Sequence, residues 1–195
     1  MSYQVKGRGE VVVKIAIVGQ AGSGKCRILS HLANTHGQAA VRTTVVSNVE
    51  VSRTEYIVSD PLEDGSFVRV RVFAISGIPS HQAAEQLVLS GCDGLVFVAD
   101  CDPRYISDSR ECLLNVLTNA HAVGLDLTKI SVAVQYHRAE RYPNFNPQDL
   151  DGWLGIEQGK VARYITTSDG DHGSDAAVNG VVEKAVANLA EKAEV

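Results

Sequence analysis

The stretch Gly19-Gln-Ala-Gly-Ser-Gly-Lys-Cys26 holds the residues whose types and spacing can do chemistry on an anion. Gly19, Gly24 and Lys25 fit the spacing G-x-x-x-x-G-K-[ST], and Cys26 stands where serine or threonine is usual. Glycines at 19, 22 and 24 let the backbone approach a ligand closely, so that N–H groups along Gln20, Ala21 and Ser23 can turn toward phosphate oxygens. A helix starting here adds its positive dipole end, and Lys25 can reach the outer phosphates. A glycine-rich turn with an incidental lysine would have the same letters. Context separates the two: an apolar run, residues 11–18, precedes the loop and a helical pattern follows it.

The rest of the chain alternates strands and helices that would carry this loop. Residues 26–34 place Ile28, Leu29 and Leu32 on one helical face. Residues 35–48 show no sustained period and read as an exposed, mobile loop. Strands at 51–59 and 67–75 flank Glu63-Asp64-Gly65-Ser66, a hairpin signal, and so pair antiparallel. A short helix at 81–90 turns Ala84, Leu87 and Val88 inward, and the apolar run 95–99 is a central strand ending at Asp100. Ile106, Leu113, Val116, Leu117 and Ala120 recur at helical intervals in 105–123. A buried strand follows at 130–136 and a last strand at 161–167, with a short helix near 147–154 between them. Val178, Val181, Val182, Ala185, Val186 and Leu189 trace one face of a last helix. The expected fold is a single α/β domain over residues 1–195, with a six-stranded, mostly parallel sheet, one antiparallel strand and helices on both faces. Ligands of such sheets sit beyond the carboxyl ends of the strands.

Composition narrows the function classes. The chain has 195 residues, 45% hydrophobic and 21% charged, and a net charge of −5, which argues against nucleic acid as a partner. Four cysteines (Cys26, Cys92, Cys101 and Cys112) follow no C-x-x-C spacing and read as reduced thiols rather than a zinc site. No stretch is apolar for the ~20 residues of a membrane span, and the polar first ten residues do not read as a signal peptide. The cytoplasm is the expected compartment.

The element order, with a phosphate loop first, resembles the P-loop fold of Ras-like small GTPases, and within them the bacterial gliding-motility MglA type. The resemblance is carried by Ser52-Arg-Thr54, Ser76-Gly77, the run from Leu87 to Asp100, Leu125-Asp-Leu-Thr-Lys-Ile130 and Val134-Gln-Tyr136. It spans most of the chain and implies GTP or GDP with Mg²⁺ as ligands. It implies Arg53 as an internal arginine finger, Thr54 as the switch threonine beside the metal, and Ser168 in the last nucleotide loop.

The positions that carry the family's chemistry depart from its pattern. Cys26 offers a thiol where the family's hydroxyl ligates Mg²⁺. His137-Arg-Ala-Glu140 replaces N-K-x-D: Glu140 keeps a carboxylate, Arg138 keeps a cationic stem, and His137 replaces the amide. Gly77-Ile78 puts an aliphatic group where glutamine would orient water. Two readings follow. One is a degenerate GTPase, or pseudo-GTPase, acting as a nucleotide-binding switch or interaction module, with hydrolysis very slow or absent. The other is a slow working GTPase, or a P-loop protein of changed nucleotide specificity. Either implies a regulatory protein, of the roadblock type by resemblance, on the face formed by the switch loops, strand 51–59 and helix 81–90.

Overall fold

In the computed structural model the described residues are 4–5, 9–36, 41–58, 62, 65–75, 78, 81–142, 144–157, 159, 161–167, 173 and 175–193. They form β1 (Gln4–Val5), β2 (Glu10–Val18), α1 (Lys25–His36), β3 (Arg42–Val46), β4 (Val49–Ile57) and β5 (Phe67–Ile75). There follow α2 (Gln82–Leu89), β6 (Gly94–Asp100), α3 (Ile106–Ala122), β7 (Ser131–His137), α4 (Pro147–Leu154), β8 (Ala162–Thr166) and α5 (Ala176–Ala193).

The strands make one sheet in the order β3-β4-β5-β2-β6-β7-β8, with β1 added antiparallel to β2. β2 pairs parallel with β5 and β6, and the parallel pairing continues through β7 to β8. Alternation along β2 explains the layering. Ala16 and Val18 face a core shared with α2, α3 and α4, while Val13, Ile15 and Ile17 face one shared with α1 and α5. All seven residues of β6 are buried, as a strand covered on both faces requires. The parallel α/β fold with helices on both faces is the one expected.

Two strands exceed the expectation of six, giving an eight-stranded sheet among the described residues. β1 is only two residues long. β3 lies inside the stretch read as a mobile loop; it is exposed along nearly its whole length, so no buried face imposed an alternating pattern on its sequence. It joins β4 through Ser47 and Asn48, both at positive φ (49° and 63°), a two-residue hairpin turn that Asn favours. β4 is therefore antiparallel to both neighbours. The Glu63-Asp64 part of the second hairpin signal lies outside the described residues.

Two leucines expected to face inward lie toward solvent. Leu87 is 55% exposed, because the inward stripe of α2 runs through Ala84, Val88 and Leu89. Leu117 is 42% exposed at the margin of an α3 stripe formed by Ser109, Cys112, Val116, Asn119 and Ala120. The stripes expected on α1 and α5 are buried as read. Cys92, Cys101 and Cys112 are buried free thiols, and Cys26 is an exposed one. No described helix is long and apolar enough to cross a membrane.

Gly94, at the start of β6, shows how closely α5 seats on the sheet. A Cβ there would stand 2.3 Å from Val181 Cγ1 and 2.8 Å from Ile15 Cδ1. Gly94→Ala is expected to cost about 1–3 kcal/mol through overpacking. Urea unfolding checks this; an unchanged midpoint would mean that the helix–sheet contact is looser than described.

Candidate functional site

The carboxyl ends of β2, β6, β7 and β8 meet at one edge, and the register places Asp100, His137 and Thr166 side by side there. The glycine loop leaves β2 at this edge and is seated by two close approaches. Gly19 (φ 148°) lies where a Cβ would be 2.2 Å from the Val98 carbonyl oxygen. Gly24 (φ 102°) lies against the His137 ring, 2.6 Å from the position of a Cβ. Only glycine combines that backbone with that proximity. Gln20 ties the loop to α3 by accepting a hydrogen bond from the Ser109 hydroxyl at 2.8 Å. The N–H groups of Arg27 and Ile28 donate to the Gly24 carbonyl and start α1. Ala21, Gly22 and Cys26 remain exposed, while Gln20, Ser23 and Lys25 are buried.

Lys25 turns back into its own loop. Its amine donates to the Gly19 and Gln20 carbonyls at 2.7 and 2.6 Å, and lies 3.4 Å from the Ser23 hydroxyl. Burial lowers its pKa to about 8, opposed by the nearby Cys112, Cys26 and Glu85 side chains. Glu85, on α2, is itself raised by burial and accepts a hydrogen bond from Asn119. A polar layer thus lies beneath the loop, linking it to α2 and α3.

The His137-Arg-Ala-Glu140 segment closes over the loop from the other side. His137 is 1% exposed; its Nδ1 is 3.2 Å from the Thr166 hydroxyl, and its Nε2 has no hydrogen-bond partner among the described residues. Burial, then the Arg138 guanidinium, hold its pKa below the usual histidine value. Arg138 takes a left-handed backbone (φ 67°), ending β7 abruptly. Its side chain bridges the buried Asp100 carboxylate and the Gly22 carbonyl, the latter at 2.7 Å. Arg138 therefore clamps the tip of the loop. Glu140 stands in a 3₁₀ turn (Ala139–Arg141), its carboxylate 3.7 Å from Arg141 Nε.

The remaining candidates are spread more widely. Ile78 is 46% exposed and lines a cavity of about 290 Å³ beside Gln20 and Ala21, with Tyr105, Asp108, Glu111 and Cys112 opposite. Arg53 is half-buried in β4, paired across the sheet with Arg42 and Phe73. Thr54 lies within the same strand, opposite Val72, 2% exposed and with no partner for its hydroxyl among the described residues. Gly77 and Ser168, with Ser76, Asp169 and His172, lie outside the described residues. Of the two candidate metal ligands, Thr54 is thus enclosed in a strand. Cys26 presents sulfur, a poor ligand for a hard cation such as Mg²⁺. The loop fits a phosphate; this donor pair does not fit magnesium.

Two contributors escaped the sequence reading. Asp100 is a strand-end residue, as its place after an apolar run indicates, and it also holds Arg138. Ser109 sits at an ordinary helix position, and nothing in its surroundings marked it as the anchor of Gln20.

No known protein-family profile matches the chain. The chain is similar to the mutual gliding-motility protein MglA of Myxococcus xanthus (strain DK1622), with 28% identity over 166 residues that cover 83% of this chain and 80% of that one.

The lysine geometry has a pH signature. The folded chain disfavours the ammonium, so between about pH 8 and 10.5 it binds fewer protons at Lys25 than the unfolded chain. The penalty is fully present below about pH 8 and is relieved as pH rises through that window, so stability increases there. Titrating the Lys25 Cε resonance in the ligand-free chain should give a midpoint near 8, moving upward when nucleotide phosphates favour the charged form. A midpoint at the ordinary lysine value would contradict the burial of this amine.

Proposed function

We propose that this chain, an MglA-type relative of the Ras-like small GTPases, binds a guanine nucleotide in its glycine loop and works as a pseudo-GTPase, an interaction module whose ligand state rather than turnover carries information. The observation that carries this reading is the contrast within one site. The loop is seated, anchored and clamped, while the aliphatic Ile78 lines the cavity beside it where a water-orienting side chain is needed. Arg53 would contribute charge stabilisation, but an arginine helps only once the nucleophile is positioned. Cys26 supports the same reading, since its thiol weakens any metal contribution to charge neutralisation.

GTP or GDP is the proposed ligand. The loop backbone would hold its phosphates, with Lys25 swinging out from the Gly19 and Gln20 carbonyls. Arg138 would cover the base from the loop tip, and Glu140 would accept hydrogen bonds from it. Ser168 and Gly77 are proposed contacts on the family pattern. The proposed partner is a regulatory protein, roadblock-type by analogy, on the face containing β3, β4 and α2, where Val45 and Leu87 are exposed apolar groups. The proposed setting is the cytoplasm.

Hydrolysis tests the reading. Loss of one aligned transition-state donor typically costs 10²–10³ in rate, so wild-type GTP turnover is expected to be near the limit of detection. Ile78→Gln alone should recover little, and Ile78→Gln with Cys26→Thr more. Brisk single-turnover hydrolysis by the wild type, abolished in Lys25→Ala, would overturn the pseudo-GTPase reading and favour a working switch.

A further inference from the structure

At the end of the sheet opposite the glycine loop, the amino-terminal ends of β6, β7 and β8 enclose a cavity of about 690 Å³. That size is ordinary for a small-molecule pocket. Side-chain alternation along β7 splits its lining in two. Val132 and Val134 point to the α3 side, where Phe97, Leu113, Leu117 and Ile156 form an apolar lobe, and Thr128 and Glu157 also line the cavity. Ser131 points to the other side, toward Lys184, Ala187 and Asn188 of α5.

The α5 end is chemically incomplete. Ser131 is 5% exposed and its hydroxyl has no hydrogen-bond partner among the described residues. An unpaired buried hydroxyl is destabilising, a cost that a ligand oxygen would remove. Lys184 is exposed at the cavity mouth and makes no ion pair among the described residues. One hydroxyl, one ammonium and the Asn188 amide match the two oxygens of a single carboxylate, and the lobe behind them matches an alkyl chain.

We propose that this cavity binds an amphipathic monocarboxylate, its apolar chain beneath α3 and its carboxylate between Ser131 and Lys184. The site is separate from the glycine loop, and the proposal does not depend on nucleotide binding. Decanoate below its micelle-forming concentration is the probe, followed by calorimetry and by amide shifts in the labelled full chain. Saturable binding is expected, with shifts at Ser131, Leu117 and Ala187. Lys184→Gln, at an exposed position, should weaken decanoate about tenfold, the effect of one lost charge-assisted contact, while leaving decanol unchanged. Ser131→Ala should weaken both. Ala187→Trp, also at an exposed position, should block the mouth and abolish binding. The proposal is overturned by the absence of saturable decanoate binding, by shifts confined to the glycine loop, or by undiminished binding in Ala187→Trp. Binding to anionic phospholipid vesicles without binding of monomeric decanoate would equally overturn it.

Discussion

The buried ammonium of Lys25, held by the Gly19 and Gln20 carbonyls, is the interaction on which the site depends. A cation taken out of water needs compensating oxygens. Here they come from a loop that can curl around the amine only because Gly19 and Gly24 fit against β6 and β7. The seat requires β6 and β7 to stand at fixed height beside β2, which the parallel register through buried valines and isoleucines provides. The loop thus closes around the lysine, and a phosphate would compete with backbone carbonyls for it. That competition is set by burial, which has already lowered the amine's pKa.

The clamp on the loop's outer side follows from the same edge. Asp100 ends β6 and Arg138 follows β7, so their ion pair joins two strand ends and reaches the Gly22 carbonyl. His137 lies beneath, its pKa lowered by burial, with one ring nitrogen lacking a hydrogen-bond partner among the described residues. These contacts fix the shape of the glycine loop. Ile78, beside Gln20, is an aliphatic member of a cavity lining that also includes Tyr105, Asp108 and Glu111. On the proposed reading binding and chemistry are separable: the loop is seated and clamped, and the aliphatic Ile78 stands at the family's glutamine position.

Most of the fold was legible because burial writes itself into sequence. The valine-rich strands, the stripes of α1 and α5, and the short α4 near 147–154 all read directly. β3 was missed because an exposed edge strand carries no alternating pattern. Leu87 and Leu117 misled because a short or wide helical stripe is underdetermined by a few apolar residues. The glycine loop was legible from spacing. The inward turn of Lys25, the reach of Arg138 to Gly22 and the enclosure of Thr54 in β4 were not, since each is decided by three-dimensional partners remote in sequence.

The central claim is that the loop binds nucleotide phosphate through its backbone and Lys25, with little help from a metal. Titrating nucleotide-free protein with GDP, once in magnesium and once in EDTA, tests it most directly. The account predicts saturable binding in both, with affinities within about tenfold, or ~1.4 kcal/mol, of each other. Collapse of affinity by several orders of magnitude in EDTA, or no GDP binding in either buffer, would contradict it.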